Sequence, residues 1–144
     1  MNKLTIRPLV QNDFPQWLPL WDGNNMDQRN EDVTTETWSR LLDPAYPVHG
    51  LCAMQEDKML GFVHYVIHPT TGSIEPVCYM QDVYVDPVQR RKGIARALVE
   101  EVAKVKEREN WARIYWLAEG DNEVAQELYK DIGVKLNFTL HVLI

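Results

Sequence analysis

The 144-residue sequence predicts one α/β domain of the α+β type over residues 1–144: a mixed, mostly antiparallel sheet with helices on both faces. Three features predict it. Strand-length apolar runs and amphipathic helical segments follow one another with no linker, repeat or low-complexity tract. Two of the runs, "VHGLCAMQ" and "MLGFVHYVIH", are parted only by the polar "EDK", a hairpin signal. The implied order β-α-α-β-β-β-α-β-α-β reads as one mixed sheet with helices on its faces.

The elements follow in order. Leu4 to Leu9 form a first strand, closed by Arg7 and Pro8. Asn12 or Asp13 then caps a helix whose Phe14, Trp17, Leu18 and Trp21 recur at helical spacing; Pro15 suits its first turn, and Pro19 should kink or end it. Asp22 to Asp32 is polar and reads as a loop. Thr34 or Thr35 precedes a short helix, "ETWSRLLD", with Trp38, Leu41 and Leu42 on one side. Pro44 and Pro47 mark a turn before the hairpin, and "PTTGSIEP" a second turn after it. "VCYMQDVYVDP" is a long third strand. Ile94, Ala97, Leu98, Val102 and Val105 then recur at steps of three and four, with Glu100 and Lys104 as an i,i+4 pair, until Asn110 ends the helix. "ARIYWLA" reads as a doubly covered strand. After the turn "EGDN", Asn122 can cap "EVAQELYKDI", with Gly133 as its stop. "LNFTLHVLI" reads as a closing strand.

The formal charge of −6 argues against a broad nucleic-acid-binding surface and leans towards cationic or amine partners. Two cysteines, Cys52 and Cys78, make no disulfide framework. The start, "MNKLTIRPLV", lacks an apolar signal core, and no run approaches the ~18 apolar residues that span a bilayer. A cytoplasmic protein with no membrane partner is therefore expected. His49, His64, His68 and His141 have no metal-ligand spacing, so no metal site is expected.

Against this acidic background, "VDPVQRRKGIARALVEE" places Arg90, Arg91 and Lys92 directly before Gly93 at a helix start. The first N–H groups of a helix have no intrahelical partner, and the macrodipole puts about half a positive charge there. A diphosphate suits that end where no side chain obstructs it. Gly93 removes the Cβ, and Ala95 keeps the first turn slim. On spacing alone, the segment fits either an anion site or a solvated basic turn. It is neither a P-loop nor a dinucleotide fingerprint, since the further required residues are absent.

The segment resembles the acyl-CoA-binding motif of the GNAT superfamily of N-acetyltransferases, Gln/Arg-x-x-Gly-x-Gly/Ala, through Arg90, Gly93 and Ala95. "NEVAQELYKDIG" resembles the superfamily's Asn-x-x-Ala-x-x-Leu-Tyr helix through Asn122, Ala125, Leu128 and Tyr129. The two matches keep the family's spacing, and the element order fits from Leu4 to Ile144. The resemblance implies that the strand Met80 to Val85 splays from its parallel neighbour, Ala112 to Ala118, and that acetyl-CoA lies in the gap as cosubstrate. It assigns to that donor Val83, Tyr84 and Val85 on the strand; Arg90, Arg91, Lys92, Gly93, Ile94, Ala95 and Arg96 around the turn; and Asn122 and Tyr129 on the later helix. Val83 and Val85 would supply main-chain groups to pantetheine, and the N–H groups of Arg91 to Ala95 would hold the diphosphate.

The chemistry poses a proton problem. An alkyl amine, of pKa near ~10, must lose a proton to attack, and a departing thiolate, whose acid has a pKa near ~8.5, must gain one. The resemblance implies that Tyr129 is the general acid and that an N–H near Val83 stabilises the oxyanion. Related diamine acetyltransferases carry Glu-Asp on the splayed strand. Here Gln81 and Asp82 stand there, so Asp82 acts through a water, or serves packing, or leaves the base role to Glu75, Glu31 or ordered water. Trp17, Trp21 and Trp38, with Asp22, Asp27, Glu31 and Asp32, fit either core and solvated loop or an aromatic, acidic wall for a cationic amine. Trp21, Glu31, Glu75 and Gln81 are the substrate-facing candidates.

The expected function is acetyl transfer to a primary amine, either a small amine or a lysine-like acceptor, by direct attack in a ternary complex. The alternatives are a non-catalytic acyl-CoA-binding module and an acetyltransferase of protein lysines or N-termini. The apolar strand Leu136 to Ile144 would expose an edge if unpaired, so a homodimer is expected.

Overall fold

The computed structural model describes residues 3–118, 130 and 132–144. Its five strands are β1 (Leu4–Pro8), β2 (Val48–Gln55), β3 (Lys58–His68), β4 (Val77–Val85) and β5 (Arg113–Tyr115), lying side by side in chain order. The first three pairings are antiparallel and β4–β5 is parallel, so the sheet is mixed and open. The helices are α1 (Phe14–Asn24), α2 (Glu31–Leu42) and α3 (Ile94–Glu109).

Alternating side chains divide the sheet between two cores. On one face Leu51, Val63, Cys78 and Met80 meet Ile94, Leu98 and Val102 of α3. On the other, Cys52, Met54 and Phe62 meet Trp17, Leu20 and Trp21 of α1 and Leu41 of α2. Trp17, Phe62, Leu98 and Val102 are wholly buried, each contributing about 2–3 kcal/mol of apolar burial. α3 therefore crosses from β4 to β5 on one face while α1 and α2 cover the other.

Several expectations change. Of the two outcomes expected of Pro19, ending α1 is overturned: it sits inside the helix, because Trp17, Leu20 and Trp21 are buried around it and hold the helix past the lost hydrogen bond. The acidic stretch is thus partly helical, to Asn24. The cap of α2 is Asn30, whose side chain accepts from Val33 N–H at 3.1 Å, and not Thr34 or Thr35. Thr34 lies inside the helix, where its hydroxyl accepts from Trp21 Nε1 at 2.9 Å. β5 is three residues long instead of spanning 112–118.

The expected closing strand is absent: residues 136–144 form no strand, and Leu136, Phe138, Leu140 and Val142 are exposed. Alternation gives a segment strand propensity, but a strand exists only against a partner. The expected helix 123–132 lies almost wholly outside the described residues, as do Asn122 and Tyr129. Among the described residues, no helix is long and apolar enough to cross a membrane.

Candidate active site

The turn from β4 to α3 is anchored through Asp86. Asp86 N–H bonds Leu60 C=O at 2.9 Å, and the Asp86 carboxylate accepts from Val88 N–H at 3.2 Å, opening a 3-10 turn over Pro87–Gln89. Arg91 and Gly93 then take positive φ, 66° and 78°. Gly93 precedes α3 in the left-handed region, a conformation only glycine adopts without cost. A Cβ placed on it would meet nothing within 4 Å. Ala97 N–H makes the first helical bond, to Gly93 C=O at 3.0 Å, so the N–H groups before it have no carbonyl of their own helix to reach. Buried Ile94 pins this end to the core. An open, electropositive helix start therefore faces space that a side chain at position 93 would fill, which fits a diphosphate.

Beside it, β4 outruns its parallel neighbour. β4 pairs with β5 only from Val77↔Arg113 to Tyr79↔Tyr115. Past Tyr79 the edge that faced β5 has no strand partner among the described residues. The Asp86–Leu60 bond fixes which main-chain groups lie there: in an antiparallel ladder every second residue bonds the neighbour, so Tyr84 and Asp82 bond β3 while Val83 and Val85 face the gap. An extended amide chain such as pantetheine can pair with that edge.

The basic residues are arranged unequally. The Arg90 guanidinium folds back: its Nε–H donates to Val85 C=O at 3.0 Å, and it lies 5.2 Å from the centre of the Tyr84 ring. Lys92 Nζ donates to Gln89 Oε1 at 2.8 Å on the surface. Arg91 is exposed, and Arg96 lies in the first turn of α3.

On the opposite face, a bulge turns β4. His64 stands opposite Asp82 and Tyr65 opposite Met80, so Gln81 is the extra, exposed residue. Asp82 Oδ2 bonds His64 Nδ1 at 3.0 Å, and its Oδ1 accepts from Asn24 Nδ2 at 3.2 Å. His64 Nε2 in turn accepts from Trp17 Nε1 at 3.0 Å. Sequence reasoning had Trp17 as core or aromatic wall and His64 only as a histidine without metal-ligand spacing, and it missed Asn24; only a knowledge of the bulge would have brought the three to Asp82.

The other substrate candidates are dispersed. Trp21 is core: 8% exposed, stacked on Trp17 at 5.2 Å between ring centres, with its N–H taken by Thr34. An aromatic wall at Trp21 is thus replaced by an internal stack, because its polar handle has a buried partner. Glu31 is exposed and pairs with Arg29. Arg29 also binds Asp22 through two hydrogen bonds, 2.9 and 2.6 Å, which close the α1–α2 loop and hold the Asp22 carboxyl below its ordinary range. Glu75 precedes β4 and stands on the order of 20 Å along the strand from Asp82, away from the turn. Burial pushes the Cys52 thiol up to about 11 and Cys78 to about 12, so neither is a thiolate nucleophile at neutral pH. Among the described residues no group of three His, Cys, Asp or Glu could hold a metal ion.

Comparisons with known proteins agree with this geometry. The family described as "Acetyltransferase (GNAT) family" matches residues 8–134. A D-amino-acid N-acetyltransferase of Saccharomyces cerevisiae is 29% identical over 145 residues, covering 97% of this chain and 90% of the yeast protein. The crystal structure of a ribosomal-protein-alanine N-acetyltransferase from Brucella melitensis superposes with a TM-score of 0.80 at 25% identity, covering 99% of both chains. An aminoglycoside N-acetyltransferase solved in complex with CoA has the same fold, with a TM-score of 0.85 at 16% identity over 100% of this chain and 95% of its own. With an open glycine turn at a helix start, a β4 edge parted from its parallel neighbour, and a family match over most of its length, the chain belongs to the GNAT acetyltransferase family.

Proposed function

We propose that the protein transfers an acetyl group from acetyl-CoA to a primary amine by direct attack in a ternary complex. The observation that carries this reading is the juxtaposition of the open turn at Gly93 with the β4 edge at Val83 and Val85, which has no strand partner among the described residues. Main-chain N–H groups from Arg91 to Ala95 receive the diphosphate, and Val83 and Val85 receive the pantetheine amides. The donor supplies a thioester carbonyl. Asp82 takes the amine proton, directly or through a water; the nitrogen bonds the carbonyl carbon as the C–S bond breaks, and the Tyr129 phenol protonates the thiolate. Tyr129 and Asn122 lie outside the described residues, and their roles rest on the motif. The raised thiol pKa values of Cys52 and Cys78 support direct attack over a covalent cysteine intermediate.

The acceptor is a small amine. Supporting this are two relatives named for acetylating D-amino acids and aminoglycosides. A protein N-terminal amine is the second reading, favoured by the fold's likeness to the ribosomal-protein-alanine enzyme. The protein is proposed to act in the cytoplasm, where its two unpaired thiols stay reduced. It is also proposed to be a homodimer, in which a second copy covers the exposed apolar residues of 134–144. Thiol release from acetyl-CoA across a panel of small amines and N-terminal peptides tests the activity, with calorimetry of CoA binding alongside. Absence of CoA binding by folded protein overturns it, and Tyr129→Phe should lower turnover without weakening CoA binding.

A further inference from the structure

His64 is 3% exposed, yet both its ring nitrogens are bonded. An indole nitrogen only donates, so the Trp17 bond makes His64 Nε2 an acceptor. The ring proton therefore sits on Nδ1, and it is donated to Asp82 Oδ2. Trp17 is wholly buried, and the His64 ring is stacked on Phe62 with centres 4.2 Å apart and planes 8° from parallel. The imidazole can neither rotate nor exchange tautomers without leaving a buried polar group unpartnered, which costs about 1–3 kcal/mol. Asn24, at the end of α1, holds the other carboxylate oxygen. Asp82 itself is a fifth exposed and sits beside the bulge, where β4 leaves its regular ladder.

We propose that His64 is a positioning residue for acetyl transfer: with its tautomer set by Trp17, it fixes the direction in which Asp82 presents its remaining lone pairs. This rests on the reading of Asp82 as the proton acceptor. A carboxylate on a strand otherwise swings about two torsions. Here one oxygen is tied to the sheet through β3 and the other to α1, so the proton acceptor is set before the amine arrives.

The two bonds of His64 can be separated. The side-chain amide of H64N reaches the place of Nδ1 and serves Asp82; that of H64Q reaches the place of Nε2 and serves Trp17 alone. H64N should keep kcat within about twofold of the parent. H64Q and H64F should lose about 10- to 100-fold in kcat, with CoA affinity unchanged. In a D82N background, exchanging His64 for Gln should alter kcat by less than about twofold, since the effect passes through the carboxylate. NMR of the parent's His64 nitrogens should show the Nδ1–H tautomer. Equal activity of H64N and H64Q, a full repeat of the H64Q loss in D82N, or an Nε2–H tautomer each overturns the proposal while leaving Asp82's role intact. Undiminished turnover of D82N alone instead removes Asp82 as the proton acceptor, and the proposal with it. Should H64F fail to fold, the H64N and H64Q pair decides.

Discussion

Gly23, on the last turn of α1, lies directly against the Tyr84 phenol of β4: a Cβ at position 23 would overlap the hydroxyl and stand 2.7 Å from Cζ. Tyr84 also carries the Arg90 guanidinium. The end of α1, strand β4 and the arginine of the glycine turn are thus joined through one ring.

Gly23→Ala should therefore destabilise the fold by about 1–3 kcal/mol through overpacking, despite alanine's better helix propensity. Thermal melts measure it. The double variant with Tyr84→Leu should recover most of the loss, because the obstructing ring is gone.

Gly93→Val should weaken CoA binding by about 10-fold or more while leaving a folded protein. A Cβ at this position meets no neighbour within 4 Å. Its cost is the left-handed backbone, about 1–2 kcal/mol, together with obstruction of the diphosphate. Calorimetry with CoA reads the affinity and circular dichroism the fold; unchanged affinity would contradict the assignment of this turn.

Asp13 and Arg7 form a bidentate pair at 2.8 Å, and the carboxylate also accepts from Val10 N–H. The Arg7 hydrogen bonds, opposed by burial and aided by Val10 and the Arg7 charge, hold the Asp13 carboxyl below its ordinary range. Unfolded, the group titrates near ~3.9. Its stabilisation is therefore complete above about pH 4 and is lost as pH falls through the lower folded value. Asp13→Asn should cost about 2 kcal/mol at pH 7, a value below that of a fully buried pair because Arg7 is a third exposed. The gap to the parent should narrow at pH 3, as urea titrations at both pH values will show.

Arg29→Ala should raise the KM for the amine several-fold while kcat and CoA affinity hold. Arg29 ties Asp22 and Glu31 across the loop between α1 and α2, and Met26 and Asp27 within that loop hold positive φ. Without the tie the loop relaxes, and under the proposed function the amine then meets a less ordered surface beside Asn24 and Asp82. Steady-state kinetics in each substrate separates the two effects.

Replacing Leu136, Phe138 and Leu140 together by serine should convert the proposed dimer to a monomer, by light scattering. A parent of monomer mass would remove the dimer.

Much of the fold was legible because its signals are local. The hairpin β2–β3, the length of α3 and its end at Asn110 follow from alternation, from helical spacing and from an asparagine that tolerates φ of 56°. The glycine turn was legible for the same reason: Gly93 and the helix start it opens are neighbours in sequence. Pro19 was misread because propensity was outweighed by burial of three aromatic and aliphatic neighbours. The closing strand was misread because alternation describes one face of a segment and says nothing of whether an edge is there to receive it.

The sequence by itself determined an acidic α/β chain with a basic glycine turn at a helix start and the marks of a family that transfers acetyl groups. Only the tertiary structure decided what surrounds Asp82. His64 and Asp82 are 18 residues apart in the chain and Trp17 and His64 47 apart. Their alignment depends on a one-residue bulge that reverses which side chains share a face, and on an indole whose single proton leaves the imidazole one tautomer. Neither is encoded in spacing, because both arise when separate segments must satisfy each other's polar groups inside one core.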